Sequence, residues 1–165
     1  ETENIESMNN LIEWLPKNLP VEKQTSIVHG DYSLTNVMVG ATDPNVIAIL
    51  DWELSTLGDP CADFNYHCLQ YTLNPKMANA SYCKEKGIPI IQDYVKIYSD
   101  NIGIDLTEEW DLYTAYNLFK LAGILQGILG RVRDGTAANK QAAEKASGVR
   151  GLADEGWDLI EKNFK

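Results

Sequence analysis

The stretch 26–63, SIVHGDYSLTNVMVGATDPNVIAILDWELSTLGDPCAD, constrains this chain more than any other. It holds three apolar runs, at 26–28, 37–39 and 46–50, each too short for a helix and bounded by turn-forming residues. Runs of that kind read as short strands. The segment GATDPN at 40–45 is a turn, so 36–40 and 45–51 are expected to pair as a hairpin. Polar side chains punctuate the runs: Asp31 follows the first, Asn36 precedes the second and Asp51 closes the third. The sequence therefore predicts a small sheet that carries a polar site.

Asp31, Asn36 and Asp51 are residue types that a magnesium–nucleotide phosphate site uses. Magnesium is a hard cation that takes one or two carboxylates plus phosphate oxygens and keeps several waters. Singly, each residue has an ordinary structural reading. Asp31 suits a turn, Asn36 a strand or turn cap, and Asp51 a cap for the loop after its strand. Their joint order, with Asp59 and Asp63 following, points to a site.

Composition narrows the class. At 165 residues, 44% apolar and 23% charged, the chain is expected to form a single domain, 1–165, with a substantial core. A net charge of −10 argues against nucleic acid and anionic membranes as partners. It suits a cationic substrate or simple solubility. No apolar run approaches the roughly 20 residues of a membrane span, and the N-terminus lacks the pattern of a signal peptide. Cys61, Cys68 and Cys83 are an odd set without CxxC spacing. Free buried thiols in the cytoplasm or another reducing compartment are the expectation.

Along the chain, Ile5, Met8, Leu11, Ile12 and Leu15 predict a helix over 3–16, capped by Asn4 or Thr2 and ended by Pro16 and Pro20. WELSTLGDP after Asp51 reads as an irregular loop. Asp59 and Pro60 are placed to cap and open a helix over 60–72. A polar segment with Pro75 leads to a helix near 90–101. Thr107 with Glu108 and Glu109 is expected to open a long helix to about 132, acidic at its start as the macrodipole prefers. Its apolar middle should lie at the centre of the fold. A last helix over 137–163 turns Leu152, Trp157, Leu159, Ile160 and Phe164 inward.

His29-Gly30-Asp31-x4-Asn36, Asp51 ending an apolar strand, and Gly58-Asp59-Pro60 resemble the aminoglycoside phosphotransferase family of kinase-like enzymes. The run VIAILDWELSTLGDPCAD and the helix YNLFKLAGILQGI are similar to the branch fused to acyl-CoA dehydrogenases and its bacterial relatives. The resemblance implies an α+β, mostly α fold: a protein-kinase-like C-terminal lobe in which a small β-hairpin sheet carries the catalytic loop, with about five to six helices. It implies an ATP-dependent phosphotransferase acting on a hydroxyl of a small molecule, either aminoglycoside- or choline-like or a hydroxyacyl thioester. Asp31 would accept or orient the acceptor's proton. Asn36 and Asp51 would hold Mg2+ and the phosphates of ATP. His29 would prop the loop, and Asp59 and Asp63 would support it. Glu53 is a second acid near the metal or a solvated loop residue.

Departures from the family pattern are equally informative. A kinase fold supplies a Gly-rich loop and a strand lysine from a preceding nucleotide lobe, and the 25 residues before Ser26 hold only one helix. The chain thus reads as one lobe, inactive alone, whose partners are the N-terminal lobe, the acceptor and, on its uncovered face, a second copy as a homodimer. Ser33 and Thr35 stand where this branch carries Arg and Asp, which keeps a non-catalytic, pseudokinase-type binding lobe as the alternative. Gly30 stands where many protein kinases carry an arginine that reads a phosphorylated activation loop, which disfavours that kind of switch. A haloacid-dehalogenase-type phosphatase would need Asp-x-Asp at 51–53, which Glu53 breaks.

Overall fold

A computed structural model describes residues 3–20, 24–136 and 146–165. The chain forms two compact units: 21–110 makes one, and 1–20 with 111–165 makes the other.

The helical unit is built on three apolar stripes. Helix α1, Glu6–Asn18, buries Met8, Leu11 and Leu15, spaced three and four apart as a single helix face requires. Helix α5, Trp110–Arg133, buries Leu112, Tyr113, Thr114, Ala115, Asn117, Leu118 and Ala122. Helix α6, Val149–Phe164, buries Val149, Ala153, Gly156 and Ile160. Two clusters result. Ile5, Met8, Ala122, Val149 and Ala153 form one. Leu11, Leu15, Leu112, Ala115 and Ile160 form the other, with Trp14, Trp157, Leu159 and Phe164 packed on it. Gly156 lets α6 approach closely: a Cβ there would lie 3.4 Å from the Ala115 carbonyl oxygen. The fully buried residues of α5 end at Ala122, Leu125 and Leu129 pack partly buried on the core, and Ile124 is exposed, so the apolar middle lies at the centre of this unit only in part.

The other unit carries two antiparallel ribbons and three helices. Strand β1, Ser26–Val28, pairs with β4, Thr56–Gly58. Strand β2, Val37–Val39, pairs with β3, Val46–Ile49, as the turn at 40–45 predicts. Helix α2, Pro60–Leu73, follows β4 directly, then α3, Ala80–Lys86, and α4, Ile91–Ile102. Asp59 caps α2, its side chain accepting from the Cys61 N–H at 2.8 Å. Ile27 and its cross-strand partner Leu57 are both about 70% exposed, at 70% and 71%. Leu34, Val46, Ile47 and Leu54 are exposed with them. Most buried residues of this unit belong instead to the helices, among them Phe64, Cys68, Leu69, Cys83 and Val95.

Several element boundaries differ from expectation. Helix α1 runs past Pro16 to Asn18. Proline removes only a bond to the carbonyl of Ile12 in the last turn, and Ile12 faces solvent. The cap of α1 is Ile5, and the Asn4 side chain is engaged with Asn9 instead; Thr2 lies outside the described residues. The loop reading of 52–60 is corrected at Thr56–Gly58, which form β4. Helix α3 replaces part of the expected polar segment, capped by Asn79 and stopped by Gly87 at φ +68°. Helix α5 starts at Trp110, because Thr107 donates both its N–H and its hydroxyl to Asp105 Oδ1 and forms a turn there. Of the last expected helix, 137–145 lies outside the described residues.

Candidate active site

The loop after β1 is fixed by backbone hydrogen bonds before any side chain does chemistry. His29 is 3% exposed. Its Nδ1 accepts the Asp31 N–H at 3.2 Å, which leaves the proton on Nε2, and Nε2 donates to the Leu50 carbonyl at 2.7 Å. With both ring nitrogens engaged, His29 braces the loop and has no nitrogen left to move a proton. The Trp52 ring covers it at 4.8 Å between centroids. Gly30 takes φ +82°, and a Cβ there would sit 2.4 Å from the Leu54 carbonyl oxygen, so only glycine fits. Asp63, in the first turn of α2, accepts from both the His29 and the Gly30 N–H, the second at 2.9 Å.

The next loop residues are tied to this brace. Leu50 donates its N–H to the Asn36 carbonyl at 2.8 Å while its own carbonyl holds His29. Leu50 thus stitches the end of β3 to the 29–36 loop, and Asp51 follows immediately. Asp51 has φ 65° and ψ 56°, the one non-glycine positive φ among the described residues. A left-handed conformation costs an L-residue about 1–2 kcal/mol, and it clusters at functional positions. Asn36 turns its side-chain NH2 to the Asp31 carbonyl at 2.9 Å and to Asp31 Oδ2 at 3.2 Å. Its amide oxygen therefore emerges on the opposite side.

The structure so brings His29, Asp31, Asn36 and Asp63 into one hydrogen-bonded network, with the Asp51 backbone anchored to it through Leu50. Asp59 caps α2. Glu53 is exposed on the turn after Asp51. No group of three or more His, Cys, Asp or Glu among the described residues is arranged to hold a metal ion. Asn36 and Asp51 offer two oxygen donors, a set that fits magnesium because that ion draws its remaining ligands from phosphate and water.

Three features were not read from the sequence. Burial, with the Asp31 carboxylate as a smaller cause, pushes the Tyr66 phenol up to about 12. Tyr66 lies three residues after Asp63 on α2, so the helical period was the available signal. Tyr32 stacks on His67 at 5.1 Å, and Tyr94 shares a 3.1 Å hydrogen bond with His67 Nε2. Burial holds the His67 imidazole below its ordinary range. Finally, a cavity of about 200 Å³ lies against the loop, lined by residues that include His29, Tyr32, Trp52, Asp63 and Tyr98.

A solved structure from Ralstonia eutropha, described as a candidate aminoglycoside phosphotransferase, is 44% identical with a TM-score of 0.91 over 100% of this chain and 52% of that one. Acyl-CoA dehydrogenase family member 10 of Mus musculus is 38% identical over 98% of this chain and 16% of its own length. Family member 11 of Homo sapiens is 35% identical over 98% of this chain and 21% of its own length. The chain thus spans about half the solved relative and about a fifth of the curated ones. A family model described as the phosphotransferase enzyme family matches residues 1–113. With its loop, its mostly helical kinase-like fold and these relatives, the chain belongs to the phosphotransferase enzyme family.

Proposed function

We propose that this chain is the acceptor-side lobe of an ATP-dependent kinase that phosphorylates a small-molecule hydroxyl. The observation that carries the reading is the Asn36–Asp31 pair, stitched through Leu50 to Asp51. Phosphoryl transfer has a loose transition state, so the protein mainly positions groups and balances charge. In this reading Asp31 receives the proton of the acceptor's hydroxyl as the acceptor oxygen bonds to the γ-phosphorus of ATP and the bond to the departing ADP breaks. Asn36 holds the Asp31 carboxylate with its NH2 and presents its oxygen to a magnesium ion, with Asp51 as the second ligand. When bound, that ion neutralises the phosphates of ATP. His29 and Asp63 keep the loop backbone still.

The nucleotide-binding elements would come from a separate N-terminal lobe. Two observations support this: the chain spans 52% of its solved relative, and apolar side chains such as Ile27, Leu57 and Ile47 are left exposed on both ribbons. A second copy of the chain is the other occupant that would cover them. For the acceptor, the acyl-CoA dehydrogenase names of the relatives favour a hydroxyacyl thioester, while the net charge of −10 favours a cationic aminoglycoside- or choline-like molecule. The three buried free cysteines suit a reducing compartment such as the cytoplasm, and no helix among the described residues is long and apolar enough to cross a membrane.

The test uses the full-length protein with magnesium-ATP and each acceptor class. Turnover that Asp31→Ala abolishes while the variant still folds supports the reading; equal turnover in the variant refutes it. One observation favours a non-catalytic binding lobe instead. The Ser33 and Thr35 hydroxyls bond each other at 2.7 Å, and neither residue is the arginine that this branch carries in the loop. Magnesium-ATP that neither binds nor turns over in the full-length protein would select that alternative.

A further inference from the structure

Two consecutive carbonyls lead into Asp51, and each is held by the N–H of an aromatic ring. The Leu50 carbonyl takes the His29 Nε2 proton at 2.7 Å. The Ile49 carbonyl takes the Trp52 indole N–H at 2.8 Å. The two rings lie against each other, 4.8 Å between centroids. The peptide between Ile49 and Leu50 is fixed on its other side as well, because the Leu50 N–H donates to the Asn36 carbonyl at 2.8 Å. Trp52 is 45% exposed, so its indole is held by this bond and by His29 rather than by burial in the core.

We propose that Trp52 is a positioning residue for Asp51, its indole N–H clamping the backbone so that Asp51 keeps the conformation it needs as a metal ligand. The side chain of Trp52 reaches back over Asp51, and the ring closed by its bond to Ile49 contains both backbone dihedrals of Asp51. Those dihedrals, φ 65° and ψ 56°, are left-handed and disfavoured for an L-residue. If Asp51 relaxed to a right-handed or extended conformation, the indole would swing away from Ile49 and from His29 together. The loss of both contacts opposes the relaxation. A phenylalanine at 52 could still cover His29, but it has no N–H to give to Ile49. The role of Asp51 rests on the phosphotransferase reading; the clamp itself does not.

The experiment has two arms on the full-length protein. In the first, the indole N–H signal that disappears from the NMR spectrum of Trp52→Phe identifies Trp52 in the parent. Its exchange with solvent is expected to be about fivefold or more slower than that of a free indole. Exchange at the free rate overturns the clamp, whether or not the protein is a kinase. In the second, manganese, a paramagnetic substitute for magnesium, is titrated with ADP into the parent and into Trp52→Phe. The variant's dissociation constant for manganese is expected to rise about three- to tenfold, and in turnover the magnesium requirement rises alike while KM for the acceptor stays within about twofold. A protected indole with unchanged manganese affinity would leave Trp52 a purely structural residue and overturn the positioning role. A parent that binds no manganese would refute Asp51 as a metal ligand and the kinase reading with it, and the first arm would still decide the clamp.

Discussion

Removing the Asp63 carboxylate is the sharpest test of how the loop is held. In the native chain it accepts two backbone N–H groups, from His29 and Gly30. Asp63→Ala leaves both donors orphaned in a partly buried position. Each unsatisfied donor costs about 1–3 kcal/mol. Water can reach part of the site, so the lower half applies, and the sum is about 2–4 kcal/mol. For a chain of this length that lowers Tm by about 5–12 °C. Asp63→Asn keeps one acceptor oxygen but turns an NH2 toward the second N–H, so it should recover only about half of the loss. Urea unfolding followed by tryptophan fluorescence, with the m-value checked for constancy, measures both variants. If Asp63→Ala stays within about 0.5 kcal/mol of the parent, the range of a neutral surface change, these bonds do not hold the loop and the account of the site fails.

Other outcomes follow from the same geometry. Asp51→Gly relieves a left-handed residue and should stabilise the fold by up to about 1 kcal/mol while abolishing magnesium-dependent turnover; a destabilised variant would contradict the strain at φ 65°. Burial lowers the His67 pKa below 6.5, so the unfolded chain takes the proton first. Stability is then complete above pH 6.5 and falls as pH drops below it, and His67→Gln should lose that part of the slope in a pH series of unfolding curves. Tyr66, Tyr94 and Tyr98 are raised from 10.0 to about 12, chiefly by burial. Their contribution is complete below pH 10 and is lost as pH rises through 12, seen as steep alkaline unfolding. Cys61, Cys68 and Cys83 are all buried, so a disulfide reagent at pH 8 should label them only as fast as the chain opens; immediate labelling would contradict the packing.

Much of this site was legible because local chemistry carries it. Asp31, Asn36 and Asp51 lie within three residues of strand ends, and strand ends follow from apolar runs a few residues long. Asp59 before Pro60 is a helix start readable from two residues. What escaped was non-local. Strand β4 is three residues long and exists through its pairing with β1, some 30 positions earlier; its own sequence, Thr56-Leu57-Gly58, has no alternation to detect. The part played by Leu50 lies in its backbone, which no residue identity reveals. Helix α3 was missed although Asn79 and Gly87 mark both ends, because seven residues carry too weak a period.

The pairing of β1 with β4 has a consequence for how this protein can vary. Ser26 lies opposite Gly58 and Val28 opposite Thr56, so everything from His29 to Ser55 is a closed excursion that returns to its own starting point. The chemical groups travel inside that excursion as a cassette whose two ends are clasped together. Lengthening or shortening the tip at 40–45 changes the far end of the cassette and leaves the clasp untouched. A one-residue slip at the clasp would instead turn Ile27 and Leu57 to the other face and carry the loop residues with them. Diversity is therefore expected at the tip, and intolerance at the three rungs that look, by their size, least important.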